Sequence, residues 1–240
     1  MVLENILPIT GEYLVNVFRD PEFIAQVKMV NDFKDFETAF KVEQALYDAE
    51  YRISDITIGD GDEMSNTIEL DGAEDLCKSV NFELSHGSSY PLIDLHTHPP
   101  GYLAPSTFEE GGGDLSSLNL DREIQIRTDY LDASPIMVIL GQTNSQNIDM
   151  LLVQESTKNM LTPWDLEERI GDSLDDIVSN REILRILRET EAYRAEIITL
   201  NSSNDRYIKG SIKKIKNFSL TPRIVDTKAF AERKELYSGL

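Results

Sequence analysis

Apolar positions along the chain follow two rhythms. Alternation and short continuous apolar runs mark strands at 91–98, 135–140 and 148–153, the last two joined by a polar turn. A helical period marks 33–50, where Phe33, Phe36, Phe40, Leu46 and Ala49 recur. This helix is expected to close at Glu50 and lead into a strand over 52–58. Asp60-Gly61-Asp62 reads as a turn before a second strand near 67–70; a helix near 73–80 and another from 114 are expected after it. Ahead of these, Tyr13 to Phe18 and Phe23 to Ala25 predict short helices packed on the domain. Thr162-Pro163 supplies an N-cap and a first-turn proline for an apolar stripe through about residue 189, with Gly171 and Ser179-Asn180 as break points. Residues 196–200 and 207–212 read as a hairpin or small sheet.

Helices alternating with strands around one mixed sheet give an α/β expectation, a mixed sheet flanked by helices. The expected division is an N-terminal extension at 1–32 packed on the core, a main domain at 33–160, and a C-terminal helical segment with a small β hairpin at 161–240. Apolar residues make up 40% of the chain, enough for a substantial core. No stretch approaches a membrane span, and Met1-Val2-Leu3-Glu4-Asn5 lacks the basic start of a secretory signal. The single cysteine, Cys77, excludes an intrachain disulfide framework and fits a reducing compartment, so a cytoplasmic location is expected. A formal charge of −20 argues against phosphate backbones as partners, because nucleic-acid binding depends on basic neutralisation; the same field favours a basic protein substrate, or serves solubility alone. Lys209, Lys213, Lys214 and Lys216 run against the acidic trend and suit either an acidic partner or contact with the acidic body.

Chemistry concentrates at one strand end. Two of the three histidines stand in His96-Thr97-His98, followed at once by Pro99-Pro100-Gly101. In a strand, Asp94, His96 and His98 share one face while Ile93 and Leu95 take the other. Two imidazoles two residues apart on one face are a pre-set chelate, and the breakers leave them at a rim that substrate can reach. A hydrolytic zinc site typically takes three protein ligands and leaves one position open, so a carboxylate is wanted. Cys77 and His86, in a polar helical stretch and a Ser/Gly-rich turn, are poor third ligands. Glu109, Glu110 and Asp114 follow downstream; Asp114 opens Asp114-Leu115-Ser116-Ser117-Leu118, where it would stand at a helix start.

His96-Thr97-His98, seven residues, then Ser106 resembles the JAMM (MPN+, Mov34/JAB) metalloprotease signature, H-[ST]-H, seven residues, S-x-x-D, with a glutamate upstream. The match includes the proline after the second histidine and the Pro105-Ser106 pair. Beyond Ser106 the chain departs from it: Glu109 fills the strict position of the family's Asp, while Asp114, past Gly111-Gly112-Gly113, has the helix start that the family fold implies. Asp114 is therefore preferred as the third ligand, with Glu109 as the alternative. The resemblance covers roughly 33–156 and implies an MPN-like, cytidine-deaminase-like three-layer core with a C-terminal appendage.

It also implies Zn²⁺ held by His96, His98 and the carboxylate, and an upstream glutamate that takes a proton from the zinc-bound water. Glu50, at the expected helix-to-strand junction, is the best positional match, with Glu43 as fallback. Ser106 would donate to the developing oxyanion. The implied activity is that of a zinc metallopeptidase or isopeptidase, cutting an amide bond after the C-terminus of a ubiquitin-like protein. Asp94 suits an outer contact to the histidines or a solvated strand position equally. Two other readings stand beside this one. A metal-free MPN-like scaffold fits the displaced third ligand. An amidohydrolase or PHP phosphoesterase fits Asp94-Leu95-His96-Thr97-His98, but no histidine follows His98 and too little chain remains for a barrel.

Overall fold

The computed structural model describes residues 7–33, 37–45, 49–59, 89–106, 113–115, 118, 122, 131–156, 170 and 179–224. The expected turn at 60–62, the strand near 67–70, the helix near 73–80 and the helix opening at Thr162-Pro163 lie outside them, as do Cys77, His86, Glu109 and Glu110.

Ten strands are described: β1 (Thr38–Ala45), β2 (Tyr51–Ile53), β3 (Thr57–Ile58), β4 (Ser89–His98), β5 (Leu131–Asp132), β6 (Ile136–Gly141), β7 (Asn147–Glu155), β8 (Tyr193–Asn201), β9 (Arg206–Tyr207) and β10 (Arg223–Ile224). The helices are α1 (Gly11–Phe18), α2 (Pro21–Asp32), α3 (Asn180–Glu189) and α4 (Ser211–Ile215). The main sheet runs β2-β1-β4-β6-β7-β8-β9, with β3 also on β1; β5 and β10 form a second, small sheet. Within the main sheet β4 and β6 are parallel and the other pairs antiparallel. The architecture is thus mixed α/β, with helices against a mixed sheet.

At its centre, in β6 and most of β7, the sheet is buried on both faces, and strand parity sorts its residues between two apolar layers. Ile136, Val138 and Leu140 of β6, with Ile148, Met150 and Leu152 of β7, meet α1 and α2 through Leu14, Val17, Phe18, Phe23, Val27 and Val30. The intervening residues Met137, Ile139, Leu151 and Val153 face a second layer of Leu103, Ala104, Leu115, Leu118, Ile183 and Leu187. Residues 11–32 therefore supply the covering layer of one face. α1 starts where Thr10 caps Tyr13 N–H and α2 where Asp20 caps Glu22 N–H ahead of Pro21.

One expectation is overturned here. Within the helix expected over 33–50, residues 38–45 form β1 instead, its even positions buried and its odd ones half-buried. Residues such as Glu, Ala, Lys and Gln favour helix in isolation, but β1 pairs on one side with β2 and β3 and on the other with β4, and that pairing outweighs propensity. The strand expected over 52–58 is split into β2 and β3. The C-terminal hairpin is present as β8–β9, but β8 also pairs with β7 from Asn147↔Asn201 to Glu155↔Tyr193, which makes it part of the main sheet, and Ile212 lies in α4. Of the clustered lysines, Lys216 pairs with Glu12 of α1 and Lys214 donates to the Ile197 carbonyl, so at least these two turn to the body of the protein. No helix among the described residues is long and apolar enough to cross a membrane.

Among the described residues the largest fully buried side chain is that of Arg122, which is helical. Its guanidinium bonds Asp132 of β5 at 2.7 Å and Glu155 at the end of β7 at 2.6 Å. Glu155 has 0% side-chain exposure.

Candidate metal centre

β4 carries the two histidines into the second layer. Its parallel neighbour sets Asp94 beside Met137 and His96 beside Ile139, and both β6 residues face that layer. Thr97, of opposite parity, is buried against the other layer, where its Oγ1 accepts from Thr38 N–H at 2.9 Å. β4 ends at His98, beside Gly141 at the end of β6. The chain then turns at Pro99–Gly101, with Gly101 at φ +80°, a conformation that suits glycine. It returns through the buried Leu103 and Ala104 to Ser106.

Ser106 and Asp114 hold each other. Ser106 N–H donates to Asp114 Oδ2 at 2.7 Å, and Asp114 N–H donates to Ser106 Oγ at 2.9 Å. Leu115 N–H also donates to the Ser106 carbonyl. Ser106 thereby satisfies the start of the helical turn at Asp114 and Leu115, which frees the Asp114 carboxylate from capping its own helix. That carboxylate reaches both imidazoles: Oδ1 lies 3.1 Å from His96 Nε2 and Oδ2 lies 3.2 Å from His98 Nε2. The two Nε2 atoms are 3.2 Å apart.

Two imidazole nitrogens 3.2 Å apart thus face the two oxygens of one carboxylate, His96 the Oδ1 and His98 the Oδ2. Ligands held at zinc distances around a common tetrahedral ion stand roughly 3.3 Å apart. The 3.2 Å contact between the two Nε2 atoms is also that of a hydrogen bond in which one ring carries the proton; only with both lone pairs turned inward does the pair need a cation between them. The donor set and its spacing suit a divalent zinc-like ion held by His96, His98 and Asp114, and equally a proton shared among them. All three side chains are only slightly exposed, at 14%, 11% and 16% for His96, His98 and Asp114.

Without an ion, the electrostatics are those of a shared proton. Burial disfavours a charged His96, but the Asp114 carboxylate and its hydrogen bond, with smaller help from Glu37 and Asp94, outweigh this and push His96 up to about 9. Burial likewise pushes Asp114 up, and the two imidazoles, His96 foremost, overcome it and hold the carboxyl well below its ordinary range.

A second carboxylate reaches the cluster from β1. Ala39 is paired with His96, so the register carries Glu37, two residues earlier and on the same face, opposite His98. Its carboxylate and the two imidazole nitrogens all lie within 4.8 Å of one another. Glu50 does not reach this place. Its carbonyl accepts from Ala45 N–H at the far end of β1, six residues from Ala39, and its side chain is exposed. At strand spacing that is roughly 20 Å from His96. Glu43, the fallback, is also displaced along β1 and is ion-paired with Arg52 at 2.8 Å. Glu50 and Glu43 are thus both excluded from the cluster by the same strand that replaces the expected helix. Asp94 pairs with Lys41 at 3.0 Å, and its charge helps to raise His96 from that position.

Glu37 carried a readable signal. Phe40-Lys41-Val42-Glu43 alternates with a period of two, and continuing the polar parity backwards passes through Ala39 to Glu37. Sequence reasoning also missed Tyr102, whose ring lies nearly parallel to His98, 17° between planes and 6.0 Å between centroids. Searches against protein-family models, curated proteins and solved structures find no match for this chain.

Proposed function

We propose that this chain is a zinc-dependent hydrolase of amide bonds, of the JAMM type that its His96-Thr97-His98 and Ser106 pattern resembles, built on an MPN-like core. The observation that carries this reading is the convergence of His96, His98 and Asp114 at 3.1–3.2 Å, with Glu37 at their side. Histidines on a strand parallel to β6, with helices against both faces of the sheet, are compatible with that core.

In this reading His96, His98 and Asp114 hold the ion. Bound zinc supplies Lewis acidity, making hydroxide available near neutral pH and polarising a carbonyl. Glu37 replaces Glu50 as the general base: it accepts the proton of the attacking water and returns it to the departing amine. Ser106 Oγ accepts from Asp114 N–H and keeps its own O–H to donate to the substrate oxygen as negative charge develops there. Ser106 therefore has two tasks, holding a ligand and stabilising an oxyanion. The substrate class follows from the resemblance: an isopeptide or peptide bond after the C-terminus of a ubiquitin-like protein.

A second reading, a metal-free scaffold, is favoured by the His96–Asp114 pair, because a protonated His96 closes the cluster with no ion. Incubating zinc-loaded protein with a ubiquitin-like conjugate separates the two. The enzyme reading expects cleavage that a chelator stops and zinc restores, absent in Asp114→Asn. Zinc-bound protein that leaves every such conjugate intact contradicts the proposed activity.

A further inference from the structure

On the reading that His96 and His98 ligate a metal through Nε2, both ring planes must be fixed, since a ring that swings about its Cβ–Cγ bond carries its donor atom off the ion. A ligating histidine is ordinarily held by a hydrogen bond from its other ring nitrogen to a carboxylate, a carbonyl or water. His98 is built differently. Its Nδ1 is buried and has no hydrogen-bond partner among the described residues. What lies along its ring is the side chain of Tyr102, with the two planes 17° apart. The neighbouring His96 ring is tilted by 46° and belongs to the cluster that needs holding.

Tyr102 is itself placed by backbone contacts independent of the cluster. Its N–H donates to the Pro99 carbonyl at 3.0 Å, closing the turn at Gly101. Gly101 N–H donates to the Gln142 carbonyl, and Gln142 N–H donates back to the His98 carbonyl, so the turn is sewn to the end of β6. Gly141 permits that approach: a Cβ there would stand 3.0 Å from the Tyr102 carbonyl and 3.2 Å from Leu103. Leu103 then anchors the segment in the second layer. The ring is thus presented to His98 from a loop with little freedom to move.

We infer that Tyr102 is a positioning residue for His98, its nearly parallel, offset ring restraining the imidazole plane that a hydrogen bond to Nδ1 fixes in other metal sites. On this inference the task belongs to the ring and not to the phenol oxygen. The test compares the full chain with Tyr102→Phe and Tyr102→Leu. Zinc affinity is read by competition with a chromophoric chelator, and coordination by the visible spectrum of the cobalt(II)-substituted protein.

Tyr102→Phe is expected to keep the wild-type affinity and spectrum. Tyr102→Leu is expected to weaken zinc about 10- to 100-fold, the range for losing an outer partner of a ligand, and to alter the cobalt spectrum while the metal-free melting temperature stays close to wild type. If the leucine variant does not fold, Tyr102→Met, which fills the space without a flat face, gives the same contrast. A leucine or methionine variant that binds zinc as tightly as wild type overturns the inference alone. A phenylalanine variant as weak as leucine also overturns it, by assigning the effect to the hydroxyl. Wild-type protein that takes up no zinc removes the metal reading, and the inference with it.

Discussion

The Arg122 cluster and the His96 cluster are both gathered on the second face of the sheet, and both draw carboxylates out of water. In the first, the cation is part of the chain: the guanidinium of Arg122 spans Asp132 and Glu155 at 2.7 and 2.6 Å. In the second, Asp114 and Glu37 surround two imidazoles, which are cations only when protonated. The first cluster carries its own cation, although Glu155 Oε1 stays buried without a hydrogen-bond partner among the described residues and burial pushes the Glu155 carboxyl up. The second is complete only when a proton or a metal ion enters it. Covalently supplied charge is what a fold uses to lock an element; charge that must be supplied from outside is what a binding site uses.

The largest effect on stability is expected where the built-in cation is removed. Arg122→Met leaves Glu155 and Asp132 without a partner, and stripping one member from a buried ion pair costs about 3–5 kcal/mol. Urea denaturation of the metal-free protein should show that loss, and Arg122→Met combined with Glu155→Gln should recover much of it. His96→Ala, at a more exposed pair, should cost the metal-free protein less. Equal losses in the two single variants would erase the distinction between lock and site.

Next in size is a loss of rate without a loss of metal. Glu37→Gln should retain zinc and lower hydrolysis of a ubiquitin-like conjugate by about 10²- to 10⁴-fold, as removal of a general base does, whereas Glu50→Gln should remain fully active. Loss of zinc in Glu37→Gln would make Glu37 a ligand instead. An inactive Glu50→Gln would contradict the placement of β1.

The smallest effect is the alkaline pH dependence of the open cluster. His96 is raised to about 9 by Asp114, so in metal-free protein the pair's stabilisation is complete below the ordinary histidine value and is lost as pH rises through about 9. Asp114 is lowered, so the same stabilisation is also lost in acid, as pH falls below the ordinary aspartate range. Between neutrality and pH 9 the metal-free protein should lose about 1–3 kcal/mol, measured by denaturant titration at each pH. His96→Ala should flatten the alkaline limb, and an unchanged limb in that variant would assign it to another group.

The two clusters also differ in how far the sequence disclosed them. His96, His98, Ser106 and Asp114 were legible because their relation is local: two strand residues of one parity, a turn, and a helix start. Strands β4, β6 and β7 were legible for the same reason, each being a short apolar run between polar breaks. Glu37 was obscured because 33–50 has both a helical spacing of aromatics and helix-favouring residues, and only pairing with β2, β3 and β4 decides against the helix. Arg122 was invisible for a stronger reason. In Leu120-Asp121-Arg122-Glu123 it reads as one more solvated charge, and its partners lie 10 and 33 residues away. A charge at a motif can be assigned from spacing; a charge in a core is defined by what folds against it.

The central claim, that the His96 cluster is built to take its cation from solution, is tested most directly by metal content. Protein stripped with a chelator, dialysed against zinc and freed of excess should carry about one zinc per chain by elemental analysis, and His96→Ala and Asp114→Asn should carry almost none. Wild-type protein with no retained zinc, or a His96→Ala variant that retains as much as wild type, would contradict it.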